Sequence, residues 1–191
     1  MVFARLALGA PAVAAVPRNV RVVGVSVLGS GCPHGTAEVK ADASNTVFDI
    51  RLSDYVVQSG PNTMAADWRK NCKLTLNLQY DAGFQFATLA ADMSGYAVIP
   101  SGAKGQCSNT VDFTGSSSEA NYDIALEGGA GAFSLSANPD LVLWSPCGGS
   151  TAILNMNTQC SVSPPEKSAL IAVDRITSRL AVRLAIQWRT C

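Results

Sequence analysis

The stretch Leu28-Gly29-Ser30-Gly31-Cys32-Pro33-His34-Gly35 sets three glycines, a cysteine and the chain's only histidine within eight positions. Two chemistries use stretches of this kind. As a phosphate cradle, Gly29, Gly31 and Gly35 run G-x-G-x-x-x-G, one residue out of step with the dinucleotide fingerprint and without the Gly-Lys-Ser/Thr ending of a P-loop. Pro33 also removes a backbone N–H from the concavity, and the following TAEVKA has the character of a strand rather than of a helix whose N-terminus could hold an anion. As a nucleophile and its base, Cys32 and His34 share one side of an extended backbone, so hydrogen-bond reach is available. The chemistry further needs a depressed thiol pKa and a group that orients the histidine, and neither is legible. With five other cysteines in the chain, Cys32 reads as half of a disulfide and His34 as an exposed turn residue. A serine triad would have to use the same histidine, and there is no G-x-S-x-G elbow.

Paired carboxylates are the other route to catalysis. Asp49, Asp54, Asp67, Asp92, Asp112, Glu119, Asp123 and Glu127 are available for glycoside hydrolysis, which depends on their separation in space. Asp49 alternates with Phe48 and Ile50 and so faces solvent from a strand; the others are read in or near turns, where Asp is favoured by local hydrogen bonding. Asp92, Asp112 and the Asn138-Pro139-Asp140 turn offer oxygens to Ca²⁺, but no D-x-D-x-D-G loop exists, and neither a metal nor a cofactor is expected. Among the tryptophans, Trp188 falls on the apolar parity of its strand and Trp144 lies in an apolar run, so both are read as core; Trp68, within ADWRKNC, is the one in a polar setting. The last segment carries Arg179, Arg183, Gln187 and Arg189 on one parity, which reads either as protection of a sheet edge or as a stripe for an acidic glycan. Trp68, His34, Arg179 and Arg183 are the candidate surface-binding residues.

These side chains need elements to hold them, and the dominant period is two. In ITSRLAVRLAIQWRTC the residues Ile176, Leu180, Val182, Leu184, Ile186 and Trp188 share one face of a long strand. The same alternation places Phe48, Ile50 and Leu52, then Leu74, Leu76, Leu78 and Tyr80, then Tyr122, Ile124 and Leu126 on buried faces. VRVVGVSVL, TAEVKA, FQFATLAADM, GYAVI, TVDFTG, FSLSA and AILNMNTQ are further candidates, punctuated by turn signals at ADASN, YDAGF, EGGAG and ANPD. About ten short strands with no long amphipathic helix predict an all-β fold, an antiparallel β-sandwich of jelly-roll-like character. A single helical turn is expected only near MAADWRK.

With 14 basic and 14 acidic residues the chain has no net field to attract nucleic acid or an anionic membrane. After the start, nothing approaches the roughly 18 uninterrupted apolar residues of a membrane span. The opening MVFARLALGAPAVAAV combines one arginine, a short apolar stretch and a small-residue cleavage signature, so residues 1–15 read as a secretory signal, truncated in form, and 16–191 as one sandwich domain. The six cysteines, Cys32, Cys72, Cys107, Cys147, Cys160 and Cys191, include no C-x-x-C pair and predict a disulfide framework in an oxidising compartment; six cysteines allow fifteen connectivities.

The ordered set GSGCP, DWRKNCKLTLNLQY, GFQFA, GYAVI, LVLWSPCGGSTAILNMN and a terminal WRTC resembles the fungal secreted-protein family catalogued as domain of unknown function 4360, over roughly residues 24 to 191. The resemblance implies a small secreted β-rich protein with disulfides and supplies no catalytic residues. Its recurring cysteines match Cys32, Cys72, Cys147 and Cys191, which implies the pairs Cys32 with Cys72, Cys147 with Cys191 and, as an added pair, Cys107 with Cys160. The function expected from all this is that of a non-enzymatic extracellular protein, associated with the cell wall or matrix and acting by surface or glycan binding, with a cell-wall polysaccharide or a host protein as partner. The rivals are a carbohydrate-active hydrolase or lyase using acidic residues and a secreted effector that contacts a host protein. The oligomeric state is left open.

Overall fold

The computed structural model describes residues 15–172 and 179–191. The expected secretory signal, up to residue 14, and Ile176 lie outside the described residues. Twelve strands account for the architecture: β1 (Val20–Leu28), β2 (Ala37–Ala41), β3 (Val47–Leu52), β4 (Val56–Gln58), β5 (Arg69–Tyr80), β6 (Phe84–Ile99), β7 (Lys104–Phe113), β8 (Glu119–Leu126), β9 (Gly129–Ala137), β10 (Thr151–Ser163), β11 (Leu170–Ala172) and β12 (Leu180–Thr190). They form two antiparallel sheets packed face to face as a β-sandwich. A five-stranded sheet has the order β1-β5-β10-β7-β8, and a seven-stranded sheet the order β2-β3-β12-β6-β11-β4, with β9 on the other side of β6.

Alternation builds the interior. Cys72, Leu74, Leu76, Leu78 and Tyr80 of β5 face Phe48, Ile50 and Leu52 of β3 and Leu180, Val182, Leu184 and Trp188 of β12 across a common core. Phe86 sits at its aromatic centre, with Phe48, Tyr80, Phe113 and Trp188 ring centroids 4.9 to 6.0 Å away. Edge-to-face contacts of this kind add to area burial. The polar tips that the packing carries inward find partners: the Tyr55 hydroxyl donates to the Lys70 carbonyl at 2.8 Å and accepts from the Cys160 N–H at 2.9 Å.

Two of the strand expectations need correction. FQFATLAADM and GYAVI are one 16-residue strand, β6, long enough to pair with β12 along its first part and β11 beyond it. The segment expected to hold a single helical turn closes with two successive i→i+3 bonds, Asp67 N–H to the Met64 carbonyl and Trp68 N–H to that of Ala65, and passes directly into β5. By contrast, β12 is not a sheet edge. It lies between β3 and β6, so its arginines protect no free edge, and the edge reading of that row is overturned.

Disulfides join Cys32 to Cys72, Cys107 to Cys160 and Cys147 to Cys191, the pairs implied by the family resemblance. The first anchors the glycine-rich loop to β5, the second crosses between neighbouring strands β7 and β10, and the third ties the segment before β10 to the end of the chain.

Candidate functional site

Leu28–Gly35 is an anchored connection rather than an active-site loop. Gly31 N–H donates to the Asn71 carbonyl at 2.8 Å, holding the loop on β5. A Cβ at Gly31 would run into the Tyr55 ring, so glycine is required by the close approach. Beyond Cys32, Thr36 N–H bonds the Pro33 carbonyl and Gly35 takes φ +85°, the geometry of a type II turn with exposed His34 at its first central position. Cys32 is 2% exposed and bonded to Cys72, which removes it as a nucleophile.

The other candidates scatter. Trp68 is half-buried at the end of the sandwich, its indole N–H donating to Thr63 Oγ1 at 2.9 Å. Arg179 lies 3.6 Å from Glu38. Arg183 stands in register between Asp49 of β3 and Asp92 of β6, and Lys40 of β2 continues the row. The outward face of the seven-stranded sheet is therefore a ladder of alternating sign rather than a cationic stripe. Arg51 bonds both Asp49 oxygens, at 3.0 and 2.9 Å, and holds that carboxyl below the ordinary carboxylate range against a smaller opposing effect of burial; Arg51, Arg183 and Arg179 add attraction. Arg189 departs from the row's pattern: its guanidinium lies 3.7 Å from the centroid of Trp144. That corrects the reading of Trp144 as core, since the ring is only half-buried, whereas Trp188 is 2% exposed as expected.

The most organised polar surface draws on the sequence candidates only through the carboxylates Asp112 and Glu119. On the outward face of the five-stranded sheet, register sets Ser26, Thr75, Asn155, Asp112 and Glu119 in one row across all five strands, and Leu28, Lys73, Asn157, Thr110 and Asn121 in the next. Neighbours in these rows hold one another. Thr75 Oγ1 donates to Asn155 Oδ1 at 2.9 Å, and Asn155 Nδ2 donates to Asp112 Oδ2 at 2.9 Å and Thr114 Oγ1 at 3.2 Å. Thr110 Oγ1 donates to Asn121 Oδ1 at 3.0 Å, and Asn71 Nδ2 to Asn157 Oδ1 at 3.3 Å. A shallow hollow of about 340 Å³ opens over Asn71, Lys73, Thr110, Asp112, Asn155 and Asn157, with Glu119 on its wall. Two apolar side chains interrupt the polar field, Leu28 at 76% exposure and Ile153 at 38%.

This array was legible in outline. In NCKLTLNLQY and LNMNTQ the parity opposite the leucines is filled by Asn, Lys, Thr and Gln rather than by a mixture of charges. What sequence cannot supply is the pairing that sets those residues side by side. The carboxylates also needed the fold: Asp92, Asp112, Glu119 and Asp123, read as turn residues, stand on strands. Asp92 lies on one sheet and the other three on the opposite one, and Asp112 and Glu119 are direct cross-strand neighbours. Among the described residues no group of three or more His, Cys, Asp or Glu side chains is placed to hold a metal ion.

The model of the family described as Domain of unknown function (DUF4360) matches residues 18–191. An uncharacterized secreted protein of Arthroderma benhamiae is 30% identical over 180 residues, covering 92% of this chain and 73% of the relative. Among solved structures, similar chains include TmCBM61 in complex with β-1,4-galactotriose (TM-score 0.34, 8% identity, 89% of this chain and 90% of that one). Another is the mannan-recognising carbohydrate-binding module TmCBM27 (TM-score 0.35, 9% identity, 91% and 99%). A third is the family 11 carbohydrate-binding module of Clostridium thermocellum with a mixed-linked tetrasaccharide (TM-score 0.25, 8% identity, 90% and 91%).

Proposed function

The chain belongs to the DUF4360 family of fungal secreted proteins, and from that premise we propose that it is a non-enzymatic extracellular protein that binds a wall polysaccharide on the outward face of its five-stranded sheet. The observation that carries this reading is the hydrogen-bonded array of Thr75, Asn155, Asp112, Asn71, Asn157 and Thr110 around one open hollow. A carboxamide carries two donors and a carbonyl with two lone pairs in one plane; Asn155 spends both donors on Asp112 and Thr114 and so meets a sugar hydroxyl as an acceptor, while Asn71 and Asn157 engage only part of theirs with each other. Because the amides are already held by neighbours on paired strands, little conformational freedom is lost when a ligand arrives. Leu28 and Ile153 give the C–H faces of sugar rings somewhere dry to rest. One cation, Lys73, against two carboxylates, Asp112 and Glu119, leaves the lining of the hollow net negative, which suits an uncharged polymer better than a polyanion.

A second reading rests on a specific observation, the cross-strand pair Asp112 and Glu119 on the wall of the same hollow, which would supply the two carboxyls of a glycosidase. One experiment separates the two. The purified protein is incubated with insoluble chitin, β-glucan and mannan, and both the bound fraction and the soluble sugar released are measured. Binding without release, weakened at least tenfold in a variant carrying Asn155→Ala and Asn157→Ala, is the expected result. Failure to bind any wall polymer, or binding indifferent to those substitutions, overturns it; sugar release abolished by Glu119→Gln establishes the second reading instead.

A further inference from the structure

The sandwich has five lateral edges among the described residues, and four of them are blunted. Strand β8 is capped midway by Asp140, whose carboxylate accepts from the Asn121 backbone at 2.8 Å and side chain at 3.2 Å and whose own N–H bonds the Asn121 carbonyl. Strand β2 has five residues and carries Glu38 and Lys40; β4 has three residues; β9 opens with Gly-Ala-Gly. Short length, inserted charge and low strand propensity are the usual protections of an edge. Strand β1 differs. It has nine residues, Val-Arg-Val-Val-Gly-Val-Ser-Val-Leu, with one charge at Arg21, and among the described residues only β5 pairs with it. Val23 and Val25 are 53% and 44% exposed, and its single irregularity, a bulge between Val22 and Gly24, leaves Gly24–Leu28 in regular register.

We propose that β1 is a homodimer edge, pairing antiparallel with β1 of a second copy. The regular half of the strand favours its own kind. Two-fold pairing about Ser26 sets Val25 against Val27 of the second copy and Ser26 against Ser26, so no like charges meet, and Arg21 lies beyond the paired segment. In each copy Val25 and Val27 are in register with the buried Leu76 and Leu74 of β5, so the joint extends an apolar layer that already exists. The partner's strand takes up the outward N–H and C=O groups of β1, which no side chain among the described residues is seen to satisfy. The result is a ten-stranded sheet carrying two amide faces side by side. Dimerisation is independent of the glycan reading and is tested without any glycan.

The test is the mass of the purified secreted protein, by sedimentation equilibrium or light scattering, from micromolar to millimolar concentration. A mass that rises to that of a dimer is expected, with Val25→Lys weakening association at least tenfold. Val25 is half exposed, so this variant should retain the melting temperature and spectrum of the folded monomer; Ser26→Lys, exposed and set against its own copy at the two-fold, is the second variant should it not. A protein monomeric over the whole range, or a dimer indifferent to both lysines, overturns the proposal.

Discussion

Charge pairing on the seven-stranded sheet ties the titration of Asp49 to the fold. Its folded pKa lies below the ordinary 3.8, chiefly through the Arg51 hydrogen bonds. The folded state thus holds the carboxylate better than the unfolded chain does. That contribution is complete above the ordinary value and is lost as pH falls through the lower folded value. Asp49→Asn is expected to lower the melting temperature near neutral pH, with the gap from the parent protein narrowing as pH falls through 3.8 and below. A gap of constant size would show that Asp49 acts through packing alone. That Asp49 faces outward was readable from its alternation with Phe48 and Ile50; that Arg183 stands beside it, between it and Asp92, was not, because β3, β12 and β6 are far apart in sequence. His34 shows the opposite outcome. Its local signals, a proline before and a glycine after, describe a turn, and a turn is what the chain makes there.

At the scale of the element, the connection from β1 to β2 shows why glycines crowd Leu28–Gly35. Gly29 and Gly31 are demanded by contact with the Asn71 backbone and the Tyr55 ring, and Gly35 by its positive φ. Gly31→Ala is expected to cost about 1 to 3 kcal/mol, as overpacking of a tight site does, measured by denaturant unfolding; an unchanged midpoint would mean that the loop simply lifts from Tyr55. A sequence dense in glycine announces that backbone geometry is special there without saying whether a ligand or the protein's own ring comes close. Here it is the ring. Strand existence was largely legible by period, whereas β4 and β11, three residues each, are too short for periodicity to register and form because β6 offers β11 a partner and β11 in turn offers one to β4.

For the whole molecule, the disulfides divide by burial. Cys32–Cys72 and Cys107–Cys160 are embedded in the core at 2% exposure or less, whereas Cys147 and Cys191 are both exposed and join the segment bearing Trp144 to the end of β12. Exchange requires a thiolate to reach a sulfur, so a small dithiol under native conditions is expected to open Cys147–Cys191 first, followed by alkylation and peptide mapping; equal labelling of all six cysteines would show that opening is global. The β-rich class, the parity of most buried faces, the disulfide character of the six cysteines and the turn at Pro33 could be read before any fold was known, because each follows from composition or from residues within a few positions of one another. The rest depended on long-range pairing. Strands distant along the chain had to pair before Asn155 could lie between Thr75 and Asp112, before Glu119 could stand beside Asp112, or before β12 could prove interior and β1 an open edge. Sheet neighbours are selected by register and long-range packing, and no local period encodes which strand will be the neighbour.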